Sequence, residues 1–445
     1  MGLDSNSSEG QPNARQGEFP DSGPCRREKI PVMCSGAQRQ SMSGLLTAVF
    51  FFYCGFSGAE EGAWVRHTID DTSRGADGVR FLDVNGDGLE DIATGWEEGG
   101  LIRAYLHPGP KKVTTPWPRV TVGRVKSPED AVFCDLDGDG AIDVVSCCEG
   151  GNRKVFAHWA PTAAGRFLDE KAWKTTSFPA VDKKTQWMFA LPMELDGAGG
   201  TDLVLGAKGG GACVGWLRSP ARARELGAWT FHSWYRAGWI MSLVSHDVDG
   251  DGDSDVVVSD RKGKTPGVLW LENPGRKAVA ANPGLAWREH RMGAGGKEVL
   301  FLSLYDFDGD GRKEAAVTAK PSRVILLTAG ADPRKPWREE LIEYPLDRFG
   351  RAKAVRAGDL DGDGVAELAV SCESASGGRS GVFYLRRSGK KWVPHELSGP
   401  AGVKFDRIEL RDLDGDGDLD LITCEERDNL GVFWYENPAS KAALK

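Results

Sequence analysis

The 445-residue sequence predicts an all-β fold, a seven-bladed β-propeller with four antiparallel strands in each blade. Three recurring elements predict it. A nine-residue motif of Asp and Gly occurs seven times, a tryptophan followed by an alternating stretch occurs seven times, and a hydrophobic run ending in proline lies between them.

The acidic motif sets the count. Its copies are DVNGDGLED (Asp83–Asp91), DLDGDGAID (Asp135–Asp143), ELDGAGGTD (Glu194–Asp202) and DVDGDGDSD (Asp247–Asp255), followed by DFDGDGRKE (Asp306–Glu314), DLDGDGVAE (Asp359–Glu367) and DLDGDGDLD (Asp412–Asp420). Their starts lie 52 to 59 residues apart, the period of a repeated supersecondary unit that must stack on its neighbours to bury its faces. The tryptophan element begins at Trp64, Trp117, Trp173, Trp229, Trp287, Trp337 and Trp392. The third element is clearest as GVLWLENP (Gly267–Pro274) and GVFWYENP (Gly431–Pro438), with looser forms ending at Pro108, Pro161 and Pro220. Each unit therefore reads as strand, acidic loop, strand, turn, strand and then the Trp strand, the content of one propeller blade. The order opens on a Trp strand and ends after a third strand, so WVRHTI from Trp64 is expected to complete the last blade. That closure leaves no open sheet edge. The propeller domain is read as residues 60–438, with a tail at 439–445.

Composition fits. Hydrophobic residues are 40% and charged residues 27%, an ordinary globular balance that excludes a disordered or fibrous chain. The 58 Gly and 15 Trp suit short strands joined by tight turns. A formal charge of −9 argues against nucleic acid as a partner, since phosphate binding needs a basic stripe. Residues 1–42 lack apolar periodicity and read as disordered, with Met33 or Met42 as alternative starts. Within 43–59, the uncharged run Gly44–Phe56 follows Arg26, Arg27, Lys29 and Arg39 and precedes Ser57-Gly58-Ala59. That is the pattern of a secretory signal peptide, and the run is too short for a membrane span. A secreted or periplasmic monomer, with no span after cleavage, is the expectation. Six cysteines follow the signal (Cys134, Cys147, Cys148, Cys213, Cys372 and Cys424) in no zinc-ligand spacing; they are expected to be buried and reduced.

Positions 1, 3, 5 and 9 of the motif carry side-chain oxygens, and position 7 can add its carbonyl. This is a hard-oxygen cage of the kind Ca²⁺ takes, with Gly at positions 4 and 6 to turn the backbone. The expected ligands are Asp83, Asn85, Asp87 and Asp91; Asp135, Asp137, Asp139 and Asp143; Asp247, Asp249, Asp251 and Asp255. The same positions give Asp306, Asp308, Asp310 and Glu314; Asp359, Asp361, Asp363 and Glu367; and Asp412, Asp414, Asp416 and Asp420. An EF-hand is excluded, because its twelfth-position Glu is replaced by Thr94, Ser146, Val258, Val317, Val370 and Thr423. The third copy has Ala198 and Gly200 and is expected to bind Ca²⁺ weakly or not at all. Six bound Ca²⁺ would take the formal charge from −9 to +3.

On these loops the chain resembles FG-GAP or VCBS repeat proteins, the calcium-loop propellers of integrin heads and many secreted bacterial proteins. The resemblance covers residues 64–438 and implies fold and calcium rather than function, because such propellers host binding and catalysis alike. The blocks SPEDAVFCDLDGDG and GVLWLENPG also look like those of propellers related to aldos-2-ulose dehydratases, enzymes that carry further domains after the propeller. The short tail after Pro438 makes an enzyme the second reading here.

Six residues beyond the last acid of each motif stand Glu97, Glu149, Lys208, Arg261, Lys320, Glu373 and Glu426. Their signs segregate: Glu in blades 6, 7, 1 and 2, Lys or Arg in blades 3, 4 and 5. Six residues before the motif, Asp406, Asp77 and Glu129 strengthen the acidic side. These positions belong to the face opposite the loops, roughly 20 Å away along strands that rise about 3.3 Å per residue. They form either solvated strand ends or a polarised funnel for a polar ligand. Trp187 and Trp239 lie beside the basic arc, where a tryptophan serves either as core or as a stacking platform for a sugar. His67, His232, His290 and His395 follow the repeat Trp by three residues and read as packing; His107 and His246 are off the pattern. His158 is the one histidine weighed as a base, with Glu129 and Glu149 as its acidic neighbours. No serine elbow, zinc-protease signature or phosphate loop is present in the sequence. The expectation is an exported calcium-stabilised propeller binding a glycan or a cell-envelope protein. A sugar-modifying lyase or dehydratase with a further metal at the acidic arc is the alternative, and an adhesion module without a small-molecule site is the third.

Overall fold

The computed structural model describes residues 63–439 apart from Ala164. The stretches read above as a disordered start and a signal peptide lie outside the described residues, as does the tail beyond 439. Among the described residues, twenty-eight strands form seven four-stranded antiparallel sheets. The innermost strands are Ala76–Leu82, Pro128–Cys134, Gln186–Met193, Ile240–His246, Val299–Tyr305, Arg351–Gly358 and Phe405–Arg411. Each is followed in its sheet by the next strand in sequence, so blades 1 to 6 span 76–124, 128–177, 186–236, 240–293, 299–343 and 351–396.

Blade 7 is different. It takes its first three strands from 405–436 and its outer strand from Val65–Asp70. The register runs from Val65 opposite Glu436 through His67 opposite Trp434. His67 Nε2 meets Glu436 Oε2 at 2.7 Å, and the Trp64 backbone N–H reaches Leu397 O of blade 6 at 2.9 Å. The ring closes as the element order requires, with both ends of the domain in one sheet.

The sequence dictates the blade in three steps. Glycines at motif positions 4 and 6 have positive φ in all seven loops, for example 75° at Gly86 and 84° at Gly88, a conformation costly for any side chain. The strand leaving each loop is rich in β-branched residues, as in Asp143–Cys148, and is buried along its whole length in blades 1, 2, 4, 5 and 7. Neighbouring blades cover it on both faces, which is why it reads as a continuous apolar run rather than an alternation. The repeat tryptophans then anchor the outer edge. Trp117, Trp173, Trp229, Trp287 and Trp337 are buried. The indole N–H of Trp117, Trp173, Trp229 and Trp337 donates to a carbonyl four to six residues upstream. Cys134, Cys147, Cys148, Cys213, Cys372 and Cys424 are all buried and unpaired with one another.

Every inner strand slips register against its neighbour near its start, for example between Asp77 and Arg80 and between Phe405 and Ile408. Such bulges re-aim side chains, and here they lie where the strands open onto the channel. Closure is directly testable. Removing residues 60–70 should lower the melting temperature by roughly 10 °C or more, and Ile69→Ala, at a fully buried site, should cost about 2–5 kcal/mol in denaturant unfolding. Unchanged melting of the deletion would contradict closure by this strand.

Candidate functional site

A cavity of about 420 Å³ opens where the inner strands start and the second strands end, the end of the blades opposite the acidic loops. Six of the seven charges placed there by the sequence line it: Glu97, Glu149, Lys208, Arg261, Glu373 and Glu426. The seventh, Lys320, stands behind Glu373 and is ion-paired to it. Asp77, Glu129 and Asp406 also line the wall. Sequence reasoning missed Lys353 and Lys404, both in the wall, and an apolar floor of Met188, Phe189, Met241 and Phe301. The signal was present. Lys353, Met188 and Met241 stand six residues before their motifs, in register with Asp77, Glu129 and Asp406; Lys404 and Trp239 both stand eight before.

The two lysines change the electrostatic picture. The acidic side is not a continuous arc, since blades 6 and 7 contribute Lys353 and Lys404 within it. Where the predicted signs meet, ion pairs form across blades. Lys208 of blade 3 holds Glu149 and, at 3.2 Å, Glu129 of blade 2, while Lys320 of blade 5 holds Glu373 of blade 6. Lys404 pairs with Glu426, Lys353 lies 3.5 Å from Asp406, and Arg261 meets Glu298 at 2.5 Å. Seven carboxyl groups still face four basic groups in the wall.

That excess perturbs ionisation. Burial, then the neighbouring Asp406, pushes Asp77 well above the usual carboxylate range. Burial works against ionised Asp406 too, but Lys353, a hydrogen bond with Asp77, and Lys404 hold it at about 2. Glu426 is pushed up to about 7 by burial against the pull of Lys353. Lys320 is lowered to about 8 by burial. A protonated carboxyl beside an ionised one is an acid–base pair in a partly dry site.

Trp239 lines the cavity, but three cations surround its ring: Arg261 at 4.5 Å, Lys208 at 4.7 Å and Lys262 at 4.8 Å from the centroid. Trp187 is not in the cavity. It is fully buried, its N–H donates to Val181 O at 3.0 Å, and its ring meets Phe231 edge-on. It stands seven residues before its motif, and strand alternation turns that position away from the channel. His158 is likewise absent from the cavity wall. It is fully buried on the third strand of blade 2, between Ser146 Oγ (2.8 Å) and Thr175 Oγ1 (2.9 Å), and burial lowers it to about 3. A pairing of His158 with Glu129 and Glu149 is therefore not formed, whereas those two glutamates do converge on Lys208.

At the opposite end, six acidic loops share one geometry. The position 1 carboxylate accepts the backbone N–H groups of positions 4 and 6, as Asp83 does from Gly86 (2.7 Å) and Gly88 (2.9 Å). Position 3 accepts from position 5, and position 5 from position 7. The position 9 carboxyl is buried and accepts the N–H of position 2, joined in blades 1, 2, 4 and 7 by an N–H at the end of the third strand. Burial pushes it up to about 6 in Asp91 and about 7 in Asp143, Asp255, Glu367 and Asp420. Carboxylate oxygens of Asp135, Asp137 and Asp143, and of Asp247, Asp249 and Asp251, lie within 4.8 Å of one another, a spacing that could hold a metal ion. Blade 3 keeps Glu194, Asp196 and Asp202 together, but Asp196 is tied to Arg218 at 2.6 Å, and Gly200 N–H turns to Ser219 Oγ. Arginines also reach other loops: Arg224 touches Asp137 and Asp139, Arg334 touches Asp249, and Arg386 touches Asp361 and Asp363.

Residues 83–146 and 306–370 match the FG-GAP-like repeat family. The chain is a seven-bladed propeller carrying FG-GAP-like repeats. No curated protein matches it. Among solved structures, it is similar to BBS1N from a complex with ARL6DN soaked with mercury (11% identity, 84% of this chain and 96% of that one, TM-score 0.48). YCF48 from Cyanidioschyzon merolae gives 10% identity over 85% of this chain and 99% of that one, with a TM-score of 0.49. Sqt1 from Saccharomyces cerevisiae gives 12% identity over 85% and 99%, with a TM-score of 0.44.

The buried His158 makes stability depend on pH. Folded, it stays neutral down to about 3, whereas the unfolded side chain takes a proton near 6.5. The unfolded state therefore binds more protons between those values, and stability falls as pH drops through 6.5. From pH 7 to pH 5 the wild type should lose about 2 kcal/mol relative to His158→Gln, read by urea unfolding of both. Parallel pH dependence of the two proteins would exclude a buried neutral imidazole.

Proposed function

We propose that this chain is an exported propeller whose six well-formed loops hold Ca²⁺ and whose channel-mouth cavity binds a polar ligand, a glycan or a cell-envelope protein, on the opposite face. The observation that carries the ligand reading is the convergence of charged side chains from successive blades on one cavity, at equivalent repeat positions. Concave sites with a few convergent polar groups and perturbed ionisation are where ligands bind. With cations around the Trp239 ring, recognition proceeds by ion pairs and hydrogen bonds to hydroxyl, amine or carboxylate groups rather than by sugar stacking. The calcium reading is supported by donor chemistry: the loops offer only oxygens, on a backbone turned by glycines, around a carboxyl that burial makes reluctant to ionise alone.

A second reading is a lyase or dehydratase. The Asp77–Asp406 pair favours it, since one protonated and one ionised carboxyl side by side can give and take a proton beside a carbonyl.

Two measurements test these readings. Chelation by EGTA should lower the melting temperature of the chain by roughly 10 °C or more, because a cation bound only to the folded state stabilises it; an unchanged value removes calcium from the account. With calcium saturating, a panel of sugars, sugar acids and amino sugars should include compounds that raise the melting temperature, and Glu149→Ala or Arg261→Ala should abolish that rise. No shift across the panel would leave a protein-binding or adhesive propeller, and turnover of a hit would move the reading to the enzyme.

A further inference from the structure

We infer that the channel-mouth cavity itself holds a hard divalent cation, of the Mg²⁺, Mn²⁺ or Ca²⁺ kind, between Asp77, Asp406 and Glu426, separate from the repeat loops. The inference rests on the reading of this cavity as a ligand site and names what the ligand binds through. Carboxylate oxygens of the three residues lie within 4.8 Å of one another, and all three side chains are buried. Asp77 stands in a second such group with Glu97 and Glu129, so two acidic clusters from blades 7, 1 and 2 meet at one side chain.

An independent observation points into the same space. Asp406 Oδ1 and Glu426 Oε1 are buried atoms that no hydrogen bond reaches, on residues only 2% and 6% exposed. Buried acceptors are almost always paired, and an ionised one especially requires a partner. The neighbouring lysines supply it only in part. Lys353 is ion-paired to Asp406 Oδ1 at 3.5 Å without a hydrogen bond, and Lys404 engages the other Glu426 oxygen, Oε2, so Glu426 Oε1 is the acceptor left without a cation. Even with Lys320 counted behind Glu373, seven carboxyl groups face five basic ones, a shortfall of positive charge.

The donor set selects the kind of ion. No histidine or cysteine lines the cavity, so the site offers oxygen alone, which suits Mg²⁺, Mn²⁺ and Ca²⁺ and disfavours softer zinc or copper. Three protein carboxylates leave coordination positions facing the cavity. An oxygen-rich ligand with two adjacent donors, a vicinal diol or a 2-hydroxy acid, would complete them.

Crystals of the chain soaked in MnCl₂ test this by anomalous scattering, with the repeat loops as internal controls. The expected result is a manganese peak about 2.0–2.6 Å from Asp406 and Glu426 oxygens, alongside peaks in the loops. Loop peaks with an empty cavity would overturn the inference. In solution, equilibrium dialysis should show one fewer Mn²⁺ bound per chain in Glu426→Gln, and again in Asp406→Asn, with melting in EDTA equal to wild type for at least one of them. An unchanged count in both variants would overturn it as well. If the cavity takes no metal yet the sugar panel still stabilises the wild type, this inference falls and the ligand reading stands. If neither occurs, both fall.

Discussion

The interaction on which the rest of the structure depends is the buried carboxyl at the ninth position of each acidic loop. In blade 1, Asp91 accepts the N–H of Val84 at 2.9 Å and that of His107 at 2.8 Å. One side chain thus joins the end of the inner strand, the start of the second strand and the end of the third. Asp143, Asp255 and Asp420 repeat the arrangement. Backbone N–H groups stabilise the charged form, yet burial outweighs them and pushes these carboxyls up to about 6 or 7. Hydrogen bonds alone therefore leave the charge incompletely matched, and a cation at the loop is the balancing element in the proposed reading.

Pinning every blade at that end fixes what happens at the other. Along the inner strands, between the loops and the cavity, charged pairs cross from blade to blade. Arg80 of blade 1 makes a bidentate contact with Asp130 of blade 2 at 2.9 and 3.0 Å, and Glu409 of blade 7 is held by Arg407 at 3.0 Å and by Arg356 of blade 6. Burial opposes the ionised form of Glu409, yet these guanidinium groups keep it at about 2. Removing one partner of such a buried pair typically costs 3–5 kcal/mol, because the other is left uncompensated. In the cavity wall itself Lys208 likewise bridges Glu129 and Glu149.

Much of this was legible because a repeat multiplies a weak signal. One acidic, glycine-turned segment says little, but seven related copies at near-constant spacing give the blade, and the orphan Trp strand at Trp64 gives the closure. The offset of six residues past each motif located the cavity wall. What escaped depended on register and reach. Trp187 and Trp239 differ by one position relative to their motifs, and a period-two strand converts that step into opposite faces. Lys353 stood at the offset of six before the motif, but the acids at that offset in other blades drew the reading toward one sign, and Lys404 stood two residues further out, at an offset the reading did not use. His158 carries no repeat signature, and only the third dimension shows it closed between Ser146 and Thr175. Two of the arginines that touch the loops, Arg224 and Arg334, lie 85 to 87 residues from their partners; nothing local in the sequence joins them.

The central claim is that the acidic loops are cation-held clamps that position everything else, and hydrogen–deuterium exchange with and without Ca²⁺ tests it most directly. The account predicts that Ca²⁺ slows exchange of the backbone amides in the loops after Asp83, Asp135, Asp247, Asp306, Asp359 and Asp412, with little change after Glu194, where Ala198 and Gly200 break the pattern. Equal exchange in all seven loops with and without Ca²⁺ would contradict it.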